Sequence, residues 1–169
     1  TSFAPKRFMV EFFASLAIVY VTTLTNVFQH HNQASASSVP ICAGLSMMLW
    51  AWLLRSRSGG VLNPAMAFAY AKVGQLPFGA AIVYALVQVI GGLFAAGLIF
   101  LQLSTPLTEA AKGTGAGIPN ADPKFLANAF ICELLATMFQ AFVLIGLVSD
   151  KKSEKVIFFS TKKPKLTLP

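Results

Sequence analysis

Residues 58–72 read SGGVLNPAMAFAYAK. Two glycines lead into an Asn-Pro pair, and an apolar run follows. Asn63 is a good helix N-cap, and Pro64 suits the first helical position, where its missing N–H is no loss. The pattern predicts a helix over Pro64–Val73, ~15 Å long at 1.5 Å per residue. That is half the ~30 Å thickness of a bilayer's hydrocarbon core. Gly59 and Gly60 permit positive φ and close backbone approach just upstream. Irregular backbone at membrane depth is tolerated only where it is packed in protein or lines a wet cavity. A helix start placed there carries roughly +0.5 charge from the peptide dipoles. With the Asn63 amide as donor and the carbonyls of Gly59, Gly60 and Val61 as acceptors, it would hydrogen-bond a small neutral solute and repel cations. On the tripeptide alone, a capped interfacial helix without a pore fits equally, because Asn-Pro is also a turn signal.

The surrounding chain is built for lipid. Its 169 residues are 56% hydrophobic and 11% charged, and the mean hydropathy is +0.68. A soluble domain carries roughly 25% charged residues, so this chain cannot face water on all sides. Four segments are expected to span: Phe8–Phe28, Val39–Leu54 (a little short), Pro77–Leu103 and Phe125–Val148. The first reads as a span rather than a cleaved leader. Lys6-Arg7 and Ala34-Ser35-Ala36 would supply a leader's basic start and cleavage motif, but the run exceeds the usual ~7–15 residues and contains Glu11. The fold class is therefore all-α and membrane-embedded, with one domain over residues 7–150 and a basic tail or loop over 151–169.

The net charge of +7 does not point to nucleic acid, because most basic residues flank the apolar segments. Lys6 and Arg7 precede the first span, Arg55 and Arg57 follow the second, and Lys151, Lys152, Lys155, Lys162, Lys163 and Lys165 follow the fourth. The loop His30–Ser38 has none. The loop after the third span has Lys112 and Lys124, offset by Glu109 and Asp122. The positive-inside rule then places both termini in the cytoplasm. This holds only if Gly59–Val73 enters and leaves on one side, since a crossing there would invert everything after it.

The order of these features resembles the major intrinsic proteins, the aquaporin and aquaglyceroporin family. SGGVLNPAMAF matches the family's first half-helix loop, with Asn63-Pro64-Ala65 as its signature. VEFFASLAIVY, with Glu11, resembles the first helix. YALVQVIGGLFAA, with Gln88, resembles the third, and FICELLATMFQAFVL, with Glu133, the fourth. The resemblance implies an aquaporin-like bundle, here four transmembrane helices plus one re-entrant half-helix. An internal repeat is visible without the family: Phe8–Ser15 lies over Phe130–Thr137, and the Glu, the Ala and the hydroxyl coincide. Three spans separate first from fourth, so the copies insert with opposite sense, as in inverted repeats. The counterpart of Asn63 falls beyond Pro169. The resemblance thus implies a chain truncated after the fourth helix, lacking the second half-helix and the last two spans.

The same resemblance assigns roles. Glu11 and Glu133 accept hydrogen bonds from the backbone of the re-entrant loops, Glu133 from the first loop and Glu11 from the missing one. A lone charge at a span's centre costs at least ~2.5 kcal/mol, so each needs partners. Ala43 stands in the family's narrow filter where water-selective members usually carry a large aromatic, which implies a wider opening, and Val61 stands where many carry His; both departures count against strict water selectivity. The expected function is passive transport of water or a small neutral solute such as glycerol, past Asn63, Pro64, Ala65, Gly59, Gly60, Val61 and Ala43. The alternative is a non-conducting, aquaporin-derived structural subunit of a larger membrane assembly. Expected partners are the lipid bilayer, the solute, and copies of the chain, since family members are usually tetramers. No enzyme motif, phosphate loop or zinc-binding pattern is present, so neither catalysis nor a cofactor or metal is indicated.

Other residues have plain readings. Gln88, expected with Glu11 and Glu133 to support the re-entrant loop, sits with Gly91, Gly92, Ala95, Ala96 and Gly97 in a small-residue stretch suited to close helix packing. Trp50 and Trp52 read as interface anchors, Cys42 and Cys132 as buried thiols, and His30-His31 as a solvated pair in a loop.

Overall fold

The apolar run beginning at Phe8 propagates in both directions into helix-compatible polar residues, so α1 spans Pro5–His30, with Pro5 in the first turn. In the computed structural model, which describes residues 5–30, 35, 37–103 and 123–149, it is followed by α2 (Ser38–Leu54), α3 (Pro64–Lys72), α4 (Phe78–Gln102) and α5 (Pro123–Ser149). All regular structure among the described residues is helical. Three helices are long and apolar enough to cross a membrane: Pro5–Gln29, Phe78–Gln102 and Leu126–Gly146. Helix α2 has 17 residues, at the lower limit of the ~17–25 that suffice. The protein is a multi-pass integral membrane protein. The tail 151–169, His31, and the loop carrying Glu109, Lys112 and Asp122 lie outside the described residues. His30 closes α1 and Lys124 opens α5, so neither is a loop residue.

The relative sense of α1 and α4 settles what α3 does. Phe8 stacks edge-on against Tyr84 at 5.4 Å, and Phe12 against Phe94 at 5.6 Å. Further along, the Tyr20 hydroxyl donates to Oε1 of Gln102. The partners advance together on both helices, so α1 and α4 run parallel. Helix α2 returns the chain from the end of α1. A further crossing by α3 would have delivered α4 antiparallel to α1. It does not, so α3 enters and leaves on one side.

Two close approaches shape this unit. A Cβ on Gly91 would lie 2.5 Å from the Phe12 carbonyl oxygen and 3.2 Å from the Leu16 nitrogen. Here α4 lies backbone-to-backbone on α1, as small residues permit in lipid. On the other flank, Ala14, Leu54 and Leu62 form a buried cluster, covered by Val10, Ile18, Met47, Trp50 and Ala51. Trp50 therefore packs inward, while Trp52 stays exposed; two positions on a helix turn by ~200°, so both could not anchor the same interface. The cysteines also differ from expectation. Both are free, Cys42 half-buried and Cys132 exposed, because an apolar helix turns small hydrophobic side chains to lipid as readily as to protein. Much of the outer surface is apolar, including Leu86, Val89, Leu93 and Phe100 on α4, as a lipid-facing wall requires.

A second compact unit begins within α5 at Ala129. It presents Phe130, Leu135, Phe139 and Phe142 as exposed side chains.

Candidate functional site: a half-helix held by a buried carboxylate

The site forms where α2 ends. The Leu54 carbonyl accepts from the N–H groups of Arg57, Ser58 and Gly59, at 2.9, 2.9 and 3.1 Å. This winds the chain tightly off the helix. Left-handed backbone follows at Gly59 (φ 100°), Gly60 (φ 63°) and Leu62 (φ 58°). Glycine tolerates this freely; for leucine it costs about 1–2 kcal/mol, so the surroundings must hold it there. Two things do. The Leu62 side chain is 6% exposed, inside the Ala14–Leu54 cluster, and its N–H donates to Oε2 of Glu11 at 2.8 Å.

Glu11 is fully buried and collects three further donors. The Val61 N–H reaches Oε1 at 3.1 Å, the Ser58 hydroxyl donates to the same oxygen, and Nε2 of Gln88 donates to Oε2 at 2.9 Å. Every partner is a donor and a carboxylate is acceptor-only, so the match is complementary. The Tyr84 hydroxyl donates to the Ser58 carbonyl at 2.9 Å. One residue on α1 and two on α4 thus clamp the loop. The pairing of the two glutamates departs from expectation: Glu11, assigned to the missing loop, holds the loop that is present. Its position facing the α2 exit, set by the α1–α2 packing, decides this. Glu133 is exposed on α5.

Gln88 lies ten residues into α4, so the clamp sits ~15 Å from the start of that helix, near mid-membrane. From there α3 runs outward. Asn63 is extended (φ −145°, ψ 131°), and its Oδ1 accepts from the Ala65 N–H at 2.9 Å. The Asn63 carbonyl takes the Ala67 N–H at 3.0 Å. That leaves the amide NH2 of Asn63 as a donor beside the helix start. Lys72 closes the helix, exposed at the outer end.

The residues expected along a passage are not equivalent. Gly59 and Ala65 are exposed, Asn63 and Pro64 half-buried. Gly60 is buried with Ala51 against its open face, and Val61 is only 4% exposed, because its N–H is pulled onto Glu11. Ala43 is half-buried, eight residues or ~12 Å nearer the start of α2 than Ala51. Ser58 and Tyr84 were given no role by sequence reasoning. The signal for Tyr84 was present: it precedes Gln88 by four residues and shares its helix face.

Gly60 and Gly59 make a paired prediction. A Cβ on Gly60 would lie 2.7 Å from the Ala51 carbonyl oxygen, whereas one on Gly59 meets only Val61 Cγ2 at 3.8 Å. Gly60→Ala should cost about 2 kcal/mol from strain plus clash, and Gly59→Ala about 1 kcal/mol from its φ alone. Thermal unfolding in mild detergent should rank them in that order.

The family model described as major intrinsic protein matches residues 1–160. The chain belongs to the major intrinsic protein family. Within it, the chain is similar to Aquaporin Z of Rhodopseudomonas palustris, 32% identical over 67% of this chain and 49% of the relative. It is similar to Aquaporin NIP1-2 of Arabidopsis thaliana at 26% identity, over 83% of this chain and 46% of the relative. Aquaporin-7 of Botryotinia fuckeliana is 31% identical over 64% of this chain and 24% of the relative. The chain spans about half or less of the length of these curated relatives. No solved structure matches it.

Proposed function

We propose that this major intrinsic protein forms part of a passive channel for water or a small neutral solute of the glycerol class. The observation that carries the reading is the inward-facing start of α3, held near mid-membrane by Glu11. An uncharged hydroxylic solute arriving there meets the Asn63 NH2 as donor and the exposed Gly59 segment as a source of carbonyl acceptors. The positive end of the α3 dipole disfavours a cation at the same place. No step of bond making is required of these residues, so the reading is of a channel and not an enzyme. Ala43 in place of a large aromatic favours a solute wider than water. Lys6, Arg7, Arg55 and Arg57 gather at the end where the loop enters, which supports a cytoplasmic face there and for both termini. Assembly as a tetramer is part of the proposal, on family grounds.

Osmotic swelling of proteoliposomes carrying the complete gene product tests this. They should swell faster than protein-free vesicles in a glycerol gradient, and Asn63→Ala should slow the glycerol component. Vesicles no more permeable than protein-free ones, to water and to glycerol alike, would overturn the channel and leave the structural-subunit reading.

A further inference from the structure

At the outer end of α1, basic residues from two separate segments converge over an apolar floor. Lys6 and Arg7 come from the first turn of α1, and Arg57 from the turn that leaves α2. Together with Met9, Val10 and Phe13 they line an open cleft of about 520 Å³. Arg57 gives one N–H to the Leu53 carbonyl at 3.1 Å, which fixes its stem and leaves its other donors directed elsewhere. Among the described residues of this unit no acid balances the cluster, for Glu11 is their one carboxylate and it is buried on the loop. Met9 and Phe13 are shared with a second hollow of about 350 Å³, lined by Phe8, Phe12, Val87 and Ile90 in addition. The cationic rim therefore continues into a wholly apolar track between α1 and α4.

We propose that this cleft is a binding site for one anionic phospholipid, its phosphate held by Lys6, Arg7 and Arg57 and an acyl chain laid along Met9, Phe13 and Ile90. Charge complementarity selects the occupant. A zwitterionic lipid would set its own ammonium among three cations, and a free phosphate would leave the adjoining track uncovered. The site lies at the membrane-interface end of a spanning helix, where lipid phosphates are found. Juxtamembrane cations contribute there in proportion to their number, roughly fivefold in affinity for each.

Native mass spectrometry of the full chain in detergent tests the site, with phosphatidylglycerol and phosphatidylcholine of identical chains as probes. One phosphatidylglycerol should be retained and phosphatidylcholine lost. The triple variant Lys6→Gln, Arg7→Gln, Arg57→Gln should weaken phosphatidylglycerol retention on the order of 100-fold. Because that variant removes topological charges as well, Met9→Trp provides a second arm: it fills the cleft without changing charge, and should reduce retention while Lys72→Gln does not. Equal retention of the two lipids would overturn the proposal. So would full competition by millimolar inorganic phosphate, which would make this a free-anion site. Absence of any bound lipid, as when another protein segment covers the cleft, would overturn it too.

Discussion

Glu11→Ala should release the re-entrant loop from the helices that hold it. The substitution strands four donors in a buried site: the Ser58 hydroxyl, the N–H groups of Val61 and Leu62, and the Gln88 amide. Leaving a buried donor unpaired costs about 1–3 kcal/mol. Some of these donors regain water once the loop lifts, so the net loss should be on the order of 4 kcal/mol. The loss also removes what holds Leu62 at φ 58°. Glu11→Gln is the informative companion. Its Oε1 still accepts, and the Gln88 or Ser58 side chain can turn to receive its NH2, but one of the two backbone N–H groups then faces a donor. Its cost should be intermediate, about 2 kcal/mol. Thermal unfolding in detergent should rank wild type, Gln and Ala in descending order. Amide exchange at Val61 and Leu62 should accelerate in the same order. Unchanged protection of those two amides in Glu11→Ala would show that the carboxylate does not hold the loop.

Gly91→Val should be the most damaging change on the helix pair itself. The first added carbon would lie 2.5 Å from the Phe12 carbonyl oxygen, and neither neighbour is a side chain able to swing away. The helices must separate. In lipid their association rests on packing and hydrogen bonds rather than on escape from water, so lost contact has no hydrophobic compensation. The expected cost is about 3 kcal/mol, the upper end of overpacking effects. Separation would also carry Gln88, one turn away, off Glu11 and loosen the loop at second hand. Gly97→Val on the same helix meets nothing within 4 Å and should be nearly silent. Comparing the two by thermal unfolding, with exchange at Leu62 as the loop readout, separates a packing effect from general intolerance of valine in α4.

The fold was legible in the sequence where local chemistry is decisive. Asn63-Pro64 marks the start of the half-helix because an N-cap acceptor and a residue without an N–H solve the same end problem. The distribution of Lys and Arg required α3 to turn back, and the parallel pairing of α1 with α4 arrives at the same topology by an independent route. The loop's interior was less legible. Two glutamates occupied equivalent places in the repeat, and nothing local distinguishes which helix faces the end of α2. Leucine is a poor candidate for left-handed backbone, so neither the turn at Leu62 nor the burial of Val61 beside it could be anticipated. Gln88 was expected both to support the loop and to sit among small packing residues, and its amide does reach Glu11. Its spacing of three residues from Gly91 puts both on the face that meets α1, where close approach and a reach to Glu11 are one arrangement.

The clamp joins residues made at very different moments. Glu11 lies 47, 50 and 51 positions ahead of its loop donors, and 77 ahead of Gln88. On the ribosome the first helix is complete long before any of them exists. Its acid then enters the bilayer unaccompanied, at a cost of at least ~2.5 kcal/mol at the centre of a span. The nascent segment should linger at the translocon or shelter against water until Leu62 has emerged, which makes synthesis of the half-helix the event that commits the first helix to lipid.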